Sequence, residues 1–153
     1  GLIIIFLMMF AGACTGSTTG SIKMVRHLIV VKNIRNALAK LVHPNMITQM
    51  KLNNKPLPDK TNISTISFVI LYLFIFLVAT VVIVIIGTDP VTAASAVATS
   101  LGNAGPGLGS IGPMSNYSVF PDISKLIFVI LMIIGRLEIY TIFILFTRSF
   151  WKA

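Results

Sequence analysis

Residues 64–87, STISFVILYLFIFLVATVVIVIIG, run for 24 residues without a charge. A helix of that length is about 36 Å long, enough to cross a hydrocarbon core of about 30 Å with some tilt. Few other folds can hold such a segment. The rest of the chain agrees, with 56% hydrophobic and only 10% charged residues and a mean hydropathy of +0.94, whereas a soluble domain carries about a quarter charged residues. This reads as an all-α membrane chain in contact with a lipid bilayer.

Charge placement orients it. Of the 12 basic residues, Lys23, Arg26, Lys32, Arg35, Lys40, Lys51, Lys55 and Lys60 precede the span. By the positive-inside rule this segment is cytoplasmic. Residues 88–124 contain no Lys or Arg, only Asp89 and Asp122, which fits the outer side. A second span, LIFVILMIIGRLEIYTIFILFT at 126–147, then returns inward toward Arg148 and Lys152. The net charge of +8 could also mark a nucleic-acid binder. Here the charges flank hydrophobic spans where topology already requires them, so no nucleic-acid partner is expected.

The opening run GLIIIFLMMFA has 11 residues, too few to span, since about 20 are needed. It starts at Gly1 and lacks the charged start of a signal peptide. The chain is therefore expected to be the C-terminal piece of a longer protein. GACTGSTTGSIK follows directly, with glycines at 12, 16 and 20 and hydroxyls at Thr15, Ser17, Thr18 and Thr19. Such residues favour a broken helix whose freed backbone groups are hydrogen-bonded by neighbouring hydroxyls. The alternative is a continuous helix using small-xxx-small spacing for close packing. No Gly-Lys-Ser/Thr of a phosphate-binding loop occurs. A lone Cys14 excludes an internal disulfide.

SIKMVRHLIVVKNIRNALAKLVHP, 21–44, has the pattern of an amphipathic helix stopping at Pro44. After it, Asn53 and Asn54 suit the tight turn of a small hairpin, with a plain loop as the alternative.

Between the spans, TDPVTAASAVATSLGNAGPGLG at 88–109 predicts a short helix over about 90–99. Thr88 or Asp89 would cap it and Pro90 would be its first residue. If that helix dips in from outside, its C-terminus puts a partial negative charge of about half a unit at mid-membrane, where a cation is stabilised. The backbone would then climb back out extended, tolerated only against protein or a wet cavity. Gly102 frees carbonyls to turn toward an axis, and carbonyl rings replace the hydration shell of potassium. The alternative is an ordinary glycine-rich external loop.

Arg136 lies near the middle of the second span, where a charge is costly and faces a bundle interior or wet cavity. Glu138, two residues on, is about 200° around the helix and forms no pair with it on one face. A structural ion pair with another helix is the competing reading for each. His27 and His43 have no partner at metal-ligand spacing and read as interfacial or capping residues. No nucleophile with its base is visible, so an enzyme is not expected.

ATSLGNAGPGLG, GRLEIYTIFILFTRSFW and GACTGSTTGSIKMVRHL together resemble the end of the Trk/Ktr/HKT superfamily of potassium transporters, of the bacterial TrkH/KtrB type. The resemblance extends over essentially the whole chain. It implies a K⁺-channel-like pore of four M1-P-M2 repeats in one polypeptide, in a bacterial cytoplasmic membrane. Residues 1–42 are then the end of the repeat-three M2, with an intramembrane gate loop over 11–21 (Gly12, Thr15, Gly16, Ser17, Thr18, Thr19 and Gly20). Residues 43–63 form a cytoplasmic linker, 64–87 M1, 88–121 the pore helix, filter and external loop, 122–150 M2, and 151–153 a tail, so repeat four is complete. The filter falls on the backbone of Ser100, Leu101, Gly102 and Asn103, and Arg136 faces the ion path.

The function so implied is gated K⁺ uptake, with Na⁺ as a second candidate ion, and with no cofactor besides the transported ion. The implied partners are the N-terminal repeats, a second copy in a homodimer, and a cytosolic nucleotide-binding RCK/KTN ring docked on the basic segment and the tail near Trp151. A stand-alone, non-conducting two-span subunit that assembles with another transporter is the alternative.

Overall fold

The computed structural model describes residues 2–12, 20–43, 51–52, 55–56, 58–112, 115–137, 139 and 141. Its elements are α1 (Leu2–Phe10), α2 (Met24–Val42), β1 (Lys51–Leu52), β2 (Lys55–Pro56), α3 (Asp59–Ile85), α4 (Pro90–Gly102) and α5 (Asp122–Arg136). Two 3-10 turns, Gly109–Ile111 and Tyr117–Val119, separate α4 from α5. The strands pair antiparallel in the register Lys51↔Pro56 and Leu52↔Lys55, as the expected hairpin requires. Asn53 and Asn54 lie outside the described residues.

α3 is long and apolar enough to cross a membrane. Only one stripe of it is buried: Thr65, Phe68, Tyr72, Ala79 and Ile83. Those positions repeat with helical spacing along the side that packs on α2 and α4, whereas Ile70, Phe74, Leu77, Val81 and Ile85 are exposed around the rest of the circumference. A helix apolar all round with one packed stripe is built to meet lipid or further protein on its other sides. α5 follows the same rule, burying Ser124, Phe128, Leu131 and Gly135. Between the two stripes sits α4, buried over nearly its whole length.

Aromatic side chains close both ends of this arrangement. Phe10 of α1 meets Phe76 edge-on at 5.0 Å and Tyr72 at 6.3 Å. Tyr117, Phe120 and Phe128 form a second cluster, with centroids 5.0 to 5.9 Å apart, distances at which ring quadrupoles add to burial. α2 buries Ile29 and lays the Arg26 guanidinium over Phe68 at 3.8 Å from the ring centroid, a cation–π contact. Its other side leaves Met24, Leu28, Val31, Leu38 and Leu41 exposed, in keeping with the amphipathic pattern.

Several boundaries differ from the sequence reading. The amphipathic helix is Met24–Val42 rather than 21–44, with His43 as its C-cap, donating its backbone N–H to the Ala39 carbonyl. The span read as 64–87 is part of a longer helix that starts at Asp59 and ends before the turn at Gly87, φ +108. Counting uncharged residues measures the membrane, but backbone hydrogen bonding continues through the polar first turn after Pro58. α5 is regular through Arg136, with Ile139 and Thr141 also helical. Residues 142–153, including Trp151, lie outside the described residues.

Candidate functional site

α4 is made mostly of small residues, PVTAASAVATSLG, with Ala, Ser, Thr or Gly at nine of its 13 positions. Only such residues let one helix be enclosed by three others, because each Cβ leaves room for a neighbouring backbone. At its start, Asp89 Oδ2 accepts from the Thr92 backbone N–H at 3.1 Å and from Thr92 Oγ1 at 3.3 Å, with Pro90 as the first helical residue. That is the cap the sequence predicts. Its 13 residues span about 20 Å, too short for a bilayer.

The other end corrects an expectation. The helix continues through Ser100, Leu101 and Gly102 instead of stopping at 99. It closes with a Schellman turn: Asn103 takes the left-handed conformation, φ 53, the Ala104 N–H donates to Thr99 O at 3.0 Å, and the Asn103 N–H donates to Ser100 O at 3.3 Å. Asn tolerates that conformation, so the helix gains a last turn that the glycine pattern did not reveal. Ser100, Leu101 and Gly102 are therefore buried helix, and of the four expected filter residues only Asn103 is exposed. The backbone leaves the helix at Ala104, turns at Gly105, φ +94, and residues 103–106 are exposed. A Cβ on Gly102 would lie 3.2 Å from Met9 O and 3.7 Å from Ser21 Cβ. Its missing side chain thus faces α1 and the chain leading into α2.

Hydroxyls from α4 hold the returning segment. Ser95 Oγ donates to Leu108 O at 2.9 Å and accepts from the Leu108 N–H at 3.2 Å. Thr99 Oγ1 lies 3.1 Å from the Tyr117 hydroxyl, which donates to Gly105 O at 3.3 Å. The Gly107 N–H donates to Ile111 O at 2.9 Å.

The break in the first hydrophobic segment is present, between Phe10 and Met24. Its two flanks are pinned together: the Gly12 N–H donates to Ile22 O at 3.0 Å, and Ala11 and Ile22 form a parallel bridge. Gly12 and Gly20 are buried and outside any helix, so the continuous packing helix is not what this segment forms. Cβ atoms there would collide with Ile22 O at 2.7 Å and Gly135 O at 2.7 Å respectively. Thr15, Gly16, Ser17, Thr18 and Thr19 lie outside the described residues.

Gly135 brings these parts together. A Cβ on it would sit 2.0 Å from Leu101 O and 3.0 Å from Asn103 Nδ2, and Asn103 Nδ2 donates to Met132 O at 3.2 Å. The end of α4, the chain after the break and α5 meet at this one glycine. Arg136 follows it as the last residue of α5 and is exposed; Glu138 lies outside the described residues. Sequence reasoning passed over Gly135, Gly105 and Tyr117. For Gly135 the signal was available, a glycine inside an apolar run directly before a charge. For Tyr117 there was none. Among the described residues no cluster of three or more His, Cys, Asp or Glu suits a metal ion. What the site offers a cation is backbone oxygen and the negative end of the α4 dipole.

A family profile described as TrkH, cation transport protein, matches residues 1–152. The chain is 36% identical over 143 residues to the Trk system potassium uptake protein TrkH of Escherichia coli K12, covering 94% of this chain and 29% of that protein. It is also 36% identical over 152 residues to the Trk system potassium uptake protein TrkG of the same strain, covering 98% of this chain and 31% of that one. The crystal structure of the potassium transporter TrkH from Vibrio parahaemolyticus superimposes with a TM-score of 0.86 at 34% identity, covering 97% of this chain and 31% of that structure. The chain thus spans less than a third of the length of these relatives.

Proposed function

The chain belongs to the TrkH cation transport protein family, and from that premise we propose that it forms the last part of a pore that carries K⁺ across a bacterial cytoplasmic membrane. α1, the break and α2 are assigned to the end of the repeat-three M2. α3, α4 and α5 are assigned to M1, pore helix and M2 of repeat four. Earlier repeats of the same polypeptide would complete the ring of oxygens.

The observation that carries this reading is the end of α4. A short helix enclosed by protein stops at a left-handed Asn103, and its backbone turns back as an exposed segment over 103–106. Enclosure removes water from the helix, so the dipole at its C-terminus acts on a cation with little screening. The carbonyls facing the ion are assigned to 103–106, starting at Asn103. Ser100, Leu101 and Gly102, as the last helical turn, set the position and field of that segment. The broken segment 11–21 is assigned as the gate, and Arg136 as a charge beside it. Sequence alone favours neither ion outright, so both K⁺ and Na⁺ belong in the test.

The basic segment from Lys23 to Lys60 is placed on the cytoplasmic side. There it would meet a nucleotide-binding RCK/KTN ring beneath a homodimer of pore chains. Cross-links from such a ring to residues 23–60 are expected, and cross-links confined to 104–121 would sink both the docking and the topology. The transport reading is tested by expressing the full-length protein in bacteria lacking their own K⁺ uptake. Growth at low K⁺ and uptake of K⁺ into reconstituted vesicles are expected. A purified protein that inserts and conducts neither K⁺ nor Na⁺ would favour the non-conducting subunit instead.

A further inference from the structure

We propose that Tyr117 and Thr99 are positioning residues for ion selectivity, acting as a two-hydroxyl relay that fixes the orientation of the Gly105 peptide. This rests on the ion-path assignment above. Gly105 is at φ +94 with nothing within 4 Å of the place where its Cβ would be, so side-chain packing does not hold that peptide. Glycine adopts many conformations at little cost, and something else must select one. The Tyr117 hydroxyl donates to Gly105 O at 3.3 Å, from the loop that follows the turn rather than from α4 itself.

Proton counting gives the relay its direction. Each hydroxyl has a single proton. If Tyr117 spends its proton on Gly105 O, the 3.1 Å contact with Thr99 requires the Thr99 hydroxyl to be the donor. Ser95 O and Ala96 O, at 2.9 and 3.0 Å from Thr99 Oγ1, compete for that same proton. The Gly105 carbonyl is thereby tied through two side chains to the buried interior of α4. The ring of Tyr117 is independently seated, 5.9 Å from Phe120 and 5.7 Å from Phe128 between centroids. Its hydroxyl is thus free to act on the backbone without carrying the fold. Three residues further along, Ser95 holds Leu108 through both its N–H and its carbonyl, so the relay governs the part of the segment that Ser95 does not reach.

A carbonyl held in one orientation presents a fixed spacing of oxygens to a dehydrated ion, and a released one adapts to a smaller ion. Selectivity, rather than the amount of folded protein, is therefore the quantity that reports on this pair.

The test is the K⁺/Na⁺ permeability ratio of the full-length protein in vesicles. Tyr117→Phe keeps the ring and removes the hydroxyl, and the ratio is expected to fall roughly two- to tenfold, the worth of one hydrogen bond. Thr99→Val should lower it in the same direction, whereas Thr99→Ser, which keeps the hydroxyl, should restore it. An unchanged ratio in Tyr117→Phe, with protein present at the wild-type level, overturns the proposal. So does a fall in Thr99→Ser equal to that in Thr99→Val. Gly105→Ala reports separately on the ion-path assignment, because any side chain at that φ strains the turn itself. If Gly105→Ala leaves conduction and selectivity untouched, the assignment fails and takes the relay with it. If Gly105→Ala alters them while Tyr117→Phe does not, only the relay falls.

Discussion

Asn33 of α2 and Asn62 of α3 exchange two side-chain hydrogen bonds: Asn33 Nδ2 donates to Asn62 Oδ1 at 2.6 Å, and Asn62 Nδ2 donates back to Asn33 Oδ1 at 3.1 Å. Asn33 Nδ2 also reaches the Ile29 carbonyl at 3.0 Å. This clasp fastens the helix that follows the break to the long apolar helix α3. Both residues are half-buried, so each amide left alone would lose its partner without full access to water.

Removing both members should therefore cost less than the sum of removing each alone. Asn33→Ala or Asn62→Ala is expected to destabilise the protein by about 1–3 kcal/mol. The double change should fall short of the sum of the singles by roughly 0.5–3 kcal/mol. Thermal unfolding of the purified full-length protein in detergent measures both. Strict additivity would show that the two amides do not act as a unit.

Gly135→Ala is expected to be damaging, because the new Cβ would sit 2.0 Å from Leu101 O, which is backbone and cannot rotate away. Overpacking of this kind costs about 1–3 kcal/mol or more. Gly112→Ala is the control: its nearest neighbour would be Gly109 O at 3.7 Å and its φ is −60, so a change within about 0.5 kcal/mol is expected. Comparable losses of folded protein for the two would contradict the close approach of α4 to α5.

Gly102→Ser should lower the rate of K⁺ uptake and its apparent K⁺ affinity while membrane insertion stays intact. The cause is contact with Met9 O and Ser21 at the junction of α1, α2 and α4, which would shift the end of α4 under the exposed turn. Uptake kinetics normalised to membrane-inserted protein decide this. Wild-type kinetics would mean that the α4 end does not position the ion path.

Arg136 and the broken segment are tested together. Shortening the segment by deleting residues 15–19 should remove an obstruction and raise K⁺ flux, since its flanks stay pinned through Gly12 and Ile22. Arg136→Gln should raise flux as well, through lost repulsion of the cation and lost charge-assisted bonds. If both act on one gate, the combined variant should exceed the larger single effect only modestly. Should Arg136→Gln leave flux unchanged in both backgrounds, the residue is a structural ion pair.

Much of this molecule was legible in its one-dimensional pattern. The length of the uncharged run marked α3, the one helix among the described residues long and apolar enough to cross a membrane. Asp89 and Pro90 marked the start of α4, and the crowding of glycine and hydroxyl residues after Ala11 marked a helix break. These features follow from energies that depend on a residue and its near neighbours: transfer into lipid, capping of free N–H groups, and backbone propensity. The end of α4 was not legible in that way. Whether Gly102 is the last residue of a helix or the first of an extended segment depends on Asn103 taking a left-handed turn against α5. Gly135, 33 positions away in the chain, permits that approach only by lacking a Cβ. The tie from Tyr117 to Gly105 is of the same kind. Contacts between distant segments are chosen by how the helices pack together, and no local propensity encodes which backbone oxygen a given hydroxyl will meet.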